Sequence, residues 1–348
     1  MGKLSRRDFL KIAAAGAGSM TLGAFLDACG RVLPTSSPSA DTPTSSTKQP
    51  ASPTPLSAET LPPATDTVPT PTENPLPPPD VVVTRAGEPE ALVRRAVAAL
   101  GGLETFVPKG AKVVVKPNIC TPNHTYEYAA TTNPWVVGTL VRMCYEVGAA
   151  SVKVMDYPIE GAQQKAYEIS GIQEQVEAAG GEMVEMTSFK YVPTQNPAAI
   201  LLKTTDVYED ILNSDVLINV PIAKQHGNTR LTLGMKNLMG VIKDRWSLHT
   251  MGLHQCIADL NALIKPQLTV IDAVRILTKN GPTGGNLKDV QKLDTIIASR
   301  DVVAADSYAT SLFGKEPEYL DYIVIGAGMG LGRSDLQNLN IQVIQLDA

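Results

Sequence analysis

Cysteine is scarce and unpatterned. The 348-residue chain has four, at positions 29, 120, 144 and 256, and no C-x-x-C pair. That spacing excludes a zinc ribbon, a ferredoxin-type iron–sulfur cluster and a disulfide framework. No apolar run reaches the ~20 residues that a spanning helix needs. Basic residues do not predominate: 30 Lys and Arg stand against 35 Asp and Glu, for a formal charge of −5. A partner held by phosphate neutralisation wants a basic face, so no nucleic acid is expected. Hydrophobic residues make up 43% of the chain, enough for a core, so the chain as a whole is not disordered.

The first thirty residues read as an address. Ser5-Arg6-Arg7-Asp8-Phe9-Leu10-Lys11 is basic with adjacent arginines, and Ile12 to Leu26 is an Ala/Gly-rich apolar stretch too short for an anchor. The S-R-R-x-F-L-K order resembles the twin-arginine (Tat) signal. It implies that Arg6 and Arg7 engage the Tat translocase and that the protein works outside the cytoplasm. A basic amphipathic helix is the plainer alternative. Leu26-Asp27-Ala28-Cys29-Gly30 resembles a lipobox, which implies lipidation at Cys29, a membrane anchor and a place on the extracytoplasmic face. Asp27 departs from that pattern, and simple cleavage is the alternative.

Residues 31–79 read as a tether. From Pro34 to Pro79 the chain carries 14 of its 26 prolines in 46 residues and shows no apolar periodicity. Such a segment stays extended and semi-rigid, as a spacer or an O-glycosylated stalk. The folded part is then residues 80–348.

Within it, strand and helix patterns alternate. Short β-branched runs at Val81–Val83, Ala111–Lys116 and Ser151–Met155 are separated by helical spacing over Glu88–Leu100 and from Asn133, a good N-cap before Pro134, to Val147. Further helices are expected over 161–170, 172–179, 248–264 and 302–313. Further strands are expected near 182–185, 198–203, 215–220, 268–271 and 295–298. This alternation argues an α/β fold: a largely parallel or mixed sheet with helices on both faces, in one large domain or two lobes. In such sheets reactive residues gather at the carboxyl edge of the strands.

The expected strand ends are rich in amines and amides. Lys116-Pro117-Asn118 closes one strand, and His124 follows in its loop. Asn219-Val220-Pro221-Ile222-Ala223-Lys224-Gln225-His226 closes another, and Lys236-Asn237 sits between Gly234 and Gly240. Amines and amides at turns suit a carboxylate or phosphate, which takes charge-assisted bonds from Lys and neutral ones from Asn. Gly281-Pro282-Thr283-Gly284-Gly285-Asn286 adds a turn whose N–H groups face such a site. Each motif alone reads equally as a surface turn; together they indicate one cleft for a small anionic ligand. Lys116, Asn118, Lys224, Asn237, Thr283 and Gly284 are its expected ligand-binding residues, with Lys236, His226 and His254 as catalytic candidates.

The chain has four histidines, at 124, 226, 249 and 254. His249 and His254 are five apart, about 140° round a continuous helix, so they form no i,i+4 chelate. His226 and His254 with an acid such as Asp259, Asp272 or Asp306 make a candidate metal set, Asp272 being favoured at the end of a strand. The alternative is that the histidines only form hydrogen bonds and that Asp156 and Asp272 cap helices. Gly326-Ala327-Gly328-Met329-Gly330 after Tyr322–Ile325 imitates a dinucleotide fingerprint, but no long helix or acid-tipped strand has room to follow.

The set K-P-N, N-V-P-x-x-K-x-H, L-x-L-G-M-K-N-L-M-G, H-x-x-x-x-H before I-A-D-L-N, V-I-D-A, G-P-T-x-G and D-x-V-A-x-D resembles the DUF362 family. These motifs run through nearly all of residues 80–348. The resemblance implies no defined activity. Many members carry an added iron–sulfur segment, which this chain lacks; its cofactor is left unknown, a metal remaining open. Two readings follow: an exported enzyme acting on a small anion, or a non-catalytic lipoprotein that binds a ligand or metal. An electron-transfer protein is disfavoured by the cysteines.

Overall fold

The computed structural model describes residues 78–346. The Tat-type signal, Cys29 and nearly all of the Pro-rich segment lie outside the described residues. The strands are β1 (Val81–Arg85), β2 (Lys112–Pro117), β3 (Ser151–Val154), β4 (Glu182–Met183), β5 (Tyr191–Gln195), β6 (Thr204–Tyr208), β7 (Val216–Val220), β8 (Ile222–His226), β9 (Arg230–Thr232), β10 (Leu268–Leu277), β11 (Val290–Ser299) and β12 (Ile341–Gln345). The helices are α1 (Pro89–Ala99), α2 (Pro134–Glu146), α3 (Gln163–Ile169), α4 (Ile172–Ala178), α5 (Glu209–Leu212), α6 (Gly234–Asn237), α7 (Leu248–Met251), α8 (Leu253–Leu263), α9 (Val302–Ser311) and α10 (Asp321–Gly328).

Ten strands form one mixed sheet in the order β12-β1-β11-β10-β7-β2-β3-β4, with β8 beside β10 and β9 beside β8. The pairs β10–β7, β7–β2, β2–β3 and β3–β4 are parallel, whereas β11 is antiparallel to both β1 and β10. Side chains alternate across the sheet, as the period of two requires. Val82, Val113, Val115 and Ile218 face one core with residues of α1, α2 and α4. Val81, Val83, Val114 and Leu217 face the other, with residues of α6, α8, α9 and α10. The expected α/β class with helices on both faces is therefore the architecture found.

Three local expectations differ. Residues 198–203 are not a strand; the Asp259 carboxylate accepts the N–H groups of Ile200, Leu201 and Leu202 at 2.7–2.9 Å and folds them into a turn. The helix expected over 248–264 is two, because Gly252 takes φ 111°, a left-handed value that ends α7 and starts α8. Pro221 does not end its chain segment: β8 resumes at once and pairs with β10. Tyr322–Ile325 is helical, Gly326 and Gly328 continue α10 and Gly330 follows its end at φ 72°, so no strand leads into a phosphate loop.

Candidate functional site

The parallel neighbours β2, β7 and β3 deliver Lys116-Pro117-Asn118, Pro221 and Asp156 to one edge of the sheet. The β8–β9 hairpin brings Lys224 and His226 over that edge and leads into α6, which carries Lys236 and Asn237. Leu233 offers α6 no capping side chain. Asp306 from α9 does so instead, accepting the N–H of Gly234 at 2.6 Å and of Met235 at 2.9 Å. The result is a cleft of about 390 Å³.

Asn118, Lys224, His226, Lys236, Asn237 and Thr283 line this cleft. Lys116 lies beneath its floor, fully buried. Its Nζ is 2.8 Å from Asp156 Oδ1 and donates to Pro117 O and Asn237 Oδ1, both at 2.9 Å. Burial lowers the Lys116 pKa and the Asp156 charge opposes that shift. Asp156 Oδ2 accepts the Ile119 N–H at 2.6 Å. Asn237 Nδ2 donates to Asn219 Oδ1 at 2.9 Å, and Asn118 Nδ2 donates to Asn237 Oδ1 at 3.2 Å. Gly240 permits this network: a Cβ there would overlap Asp156 Oδ1 and lie 2.7 Å from Lys116 Nζ.

Above the network the charge balance is positive. Lys224, 1% exposed, donates to Ala130 O at 2.6 Å and Pro282 O at 3.0 Å, leaving one of its three donors over. Lys236 Nζ has neither an acceptor nor a counter-ion among the described residues. Desolvation, aided by the charge of Lys224, pulls its amine down to about 7. Arg245 lines the cleft while donating to Tyr157 O at 2.6 Å and Pro158 O at 2.8 Å. Among the described residues that line the cleft, Asp156, spent on Lys116, is the one carboxylate. Asn118 Oδ1 is buried without a partner among the described residues.

His226 Nδ1 accepts the N–H of Asn228 at 3.1 Å and of Thr229 at 3.4 Å. That leaves the ring proton on Nε2. Desolvation, then the charges of Lys236 and Lys224, push its pKa down to about 3, so the ring is neutral at pH 7.

The expected metal set does not assemble. His254 is on α8 with Nε2 3.7 Å from Asp321, outside the cleft lining, so the structure does not bring it to Lys236 and His226. Asp272 caps the N–H groups of Asn133 at 2.7 Å and Val274 at 2.9 Å. Asp259 and Asp306 are likewise spent on backbone N–H groups. Among the described residues no group of three or more His, Cys, Asp or Glu side chains is arranged to hold a metal. His124 stacks on Tyr128, and Gly284, beside Leu277 and Tyr128 O, is outside the lining.

Sequence reasoning missed Tyr157, Arg245 and Trp246. Tyr157 follows Asp156 at the third strand end, so the same strand-end rule reaches it. Arg245 and Trp246 lie in a loop between short helical turns, with no periodic signal around them.

Residues 113–311, more than half of the chain, match the model of the domain of unknown function DUF362. The chain belongs to the DUF362 family. Residues 3–23 match the twin-arginine translocation pathway signal sequence, so this DUF362 protein carries an address for export across a membrane. A thylakoid-associated protein of Synechocystis sp. is 26% identical over 254 residues, which cover 71% of this chain and 76% of that protein. Two solved structures are distantly similar. The lactate racemase apoprotein of Thermoanaerobacterium thermosaccharolyticum has a TM-score of 0.41 at 11% identity, covering 62% of this chain and 53% of the racemase. A Thermotoga maritima protein has a TM-score of 0.38 at 15% identity, covering 66% of this chain and 60% of its own. This chain therefore spans about half of the racemase.

Proposed function

We propose that this exported DUF362 protein binds a small anion, a carboxylate or phosphate, in the strand-end cleft. The observation that carries the reading is Lys236. Its amine lines the cleft with no acceptor among the described residues, beside Lys224 and Arg245, while Asp156 of the lining is already paired with Lys116. A desolvated cluster of cations is costly unless an anion joins it. Lys224, Lys236 and the His226 Nε2–H are the donors that meet the anion, and Asn118 Oδ1 accepts from a hydroxyl or amine beside it. Lys236, whose amine titrates near neutrality, is also the group placed to pass a proton to a bound ligand, with the neutral His226 ring orienting that ligand by its Nε2–H, which makes an enzyme the natural elaboration of the same site. Lipidation at Cys29 and a spacer over residues 31–79 would hold this cleft at the extracytoplasmic face.

The test is calorimetric titration with sulfate, whose charge is constant near neutrality. Free Lys236 loses its proton as pH rises through about 7. Sulfate affinity should therefore fall between about pH 6 and about pH 9, with proton uptake on binding above pH 7. Lys236→Met should weaken binding about tenfold to a hundredfold, the scale of a charged hydrogen bond, and flatten that pH dependence. Equal sulfate affinity in the two proteins would refute the assignment.

A further inference from the structure

The basic floor is only part of the cleft. Ile119, Tyr157, Ile159, Met239 and Trp246 supply an apolar wall. A bare phosphate or acetate would fill a small part of about 390 Å³, a volume in the range of sites for much larger ligands. Tyr157, Ile159, Arg245 and Trp246 also line an adjoining cleft of about 460 Å³, which continues over Met186, Tyr191 and Ile242. These four residues thus form a ledge shared by both spaces.

The ledge is preformed. Arg245 is pinned to two backbone carbonyls, with its guanidinium 5.3 Å from the centre of the Tyr157 ring. Trp246 stacks on His249 at 5.6 Å, with 28° between the rings. Even so, Trp246 is 63% exposed and Ile159 is 36% exposed. Apolar side chains grouped at the mouth of a polar site mark the part of a ligand they cover.

We infer that the ligand is an anion bearing a flat apolar ring, with its negative end at Lys224 and Lys236 and its ring on the ledge against Trp246 and Ile159. This inference rests on the anion-binding reading above. It follows from the division of the cleft: amines gather at the sheet edge, aromatic and aliphatic faces at the mouth. An anion without a body leaves the ledge wet, and an apolar molecule without charge leaves the amines unpaired.

Calorimetric titration of the full chain with inorganic phosphate, hexyl phosphate and 2-naphthyl phosphate separates the possibilities. The naphthyl ester should bind at least tenfold more tightly than inorganic phosphate and quench tryptophan fluorescence. Trp246→Ala, a change at an exposed site, should abolish most of that advantage. Phosphate and its naphthyl ester binding equally would overturn the ring-bearing ligand while leaving the anion site standing. Hexyl phosphate matching the naphthyl ester would overturn the ring in favour of any apolar tail. An undiminished advantage in Trp246→Ala would overturn its placement on the ledge. Failure of all three phosphates to bind would overturn both readings together.

Discussion

Lys116 shows how residue type and residue role separate. Its place at the end of an apolar strand, before Pro117, marks it as unusual in the sequence. What sequence spacing does not carry is the partner, Asp156, which comes from the end of the neighbouring parallel strand. A fully buried amine and a carboxylate paired at 2.8 Å stabilise each other against desolvation but need not exceed its cost. Lys116→Met should therefore destabilise the fold by about 3–5 kcal/mol in urea unfolding, because Asp156 is left buried and uncompensated. Adding Asp156→Leu should recover much of that loss. A Lys116→Met protein of undiminished stability would show that the pair is not a buried one. Lys224, Lys236, His226, Asn118 and Asn237 were legible as cleft residues because parallel strands and one hairpin put their ends on a common edge. His254 was not, since its position depends on the break at Gly252, and a single glycine inside an apolar helical pattern does not announce a left-handed φ.

At the scale of the element, α6 is a single turn with no cap of its own, yet it presents Lys236 and Asn237. Its geometry is fixed from α9 by Asp306, which lies far away in sequence and accepts two N–H groups. The same device recurs where Asp259 shapes residues 200–202 and Asp272 ties Asn133 to β10. Buried acids that resemble metal ligands in the sequence thus serve as acceptors for backbone N–H groups. This is why the strand expected at 198–203 and the metal trio both failed: the decisive contacts are long-range, while pattern reading is local. Asp306→Ala should leave two buried donors unsatisfied, at about 1–3 kcal/mol each, and weaken anion binding through displacement of Lys236. Asp306→Asn keeps one acceptor oxygen and should retain more of both properties. Denaturant unfolding and sulfate titration of the two variants check this; wild-type sulfate affinity in Asp306→Ala would separate the cap from the site.

For the whole molecule, the α/β class was readable because buried β-branched runs alternate with amphipathic helices at regular intervals. The strand order was not, since hydrogen-bonded neighbours such as β1 and β11 are far apart in the chain. Export is the other property read at this scale. Replacing Arg6 and Arg7 by Lys should leave precursor in the cytoplasm, as judged by cell fractionation. Cys29→Ala should release the exported protein from membranes; a variant that stays membrane-bound would refute the lipid anchor. The central claim concerns the cleft between these levels, where an edge of the sheet, a one-turn helix and a buried ion pair leave the Lys236 amine, beside Lys224, without an acceptor among the described residues. It is tested most directly by a crystal structure with selenate, located by its anomalous signal. Selenate should lie at hydrogen-bond distance, about 2.7–3.2 Å, from the Nζ atoms of both Lys224 and Lys236. Selenate bound only elsewhere, with Lys236 paired to a protein carboxylate, would contradict it.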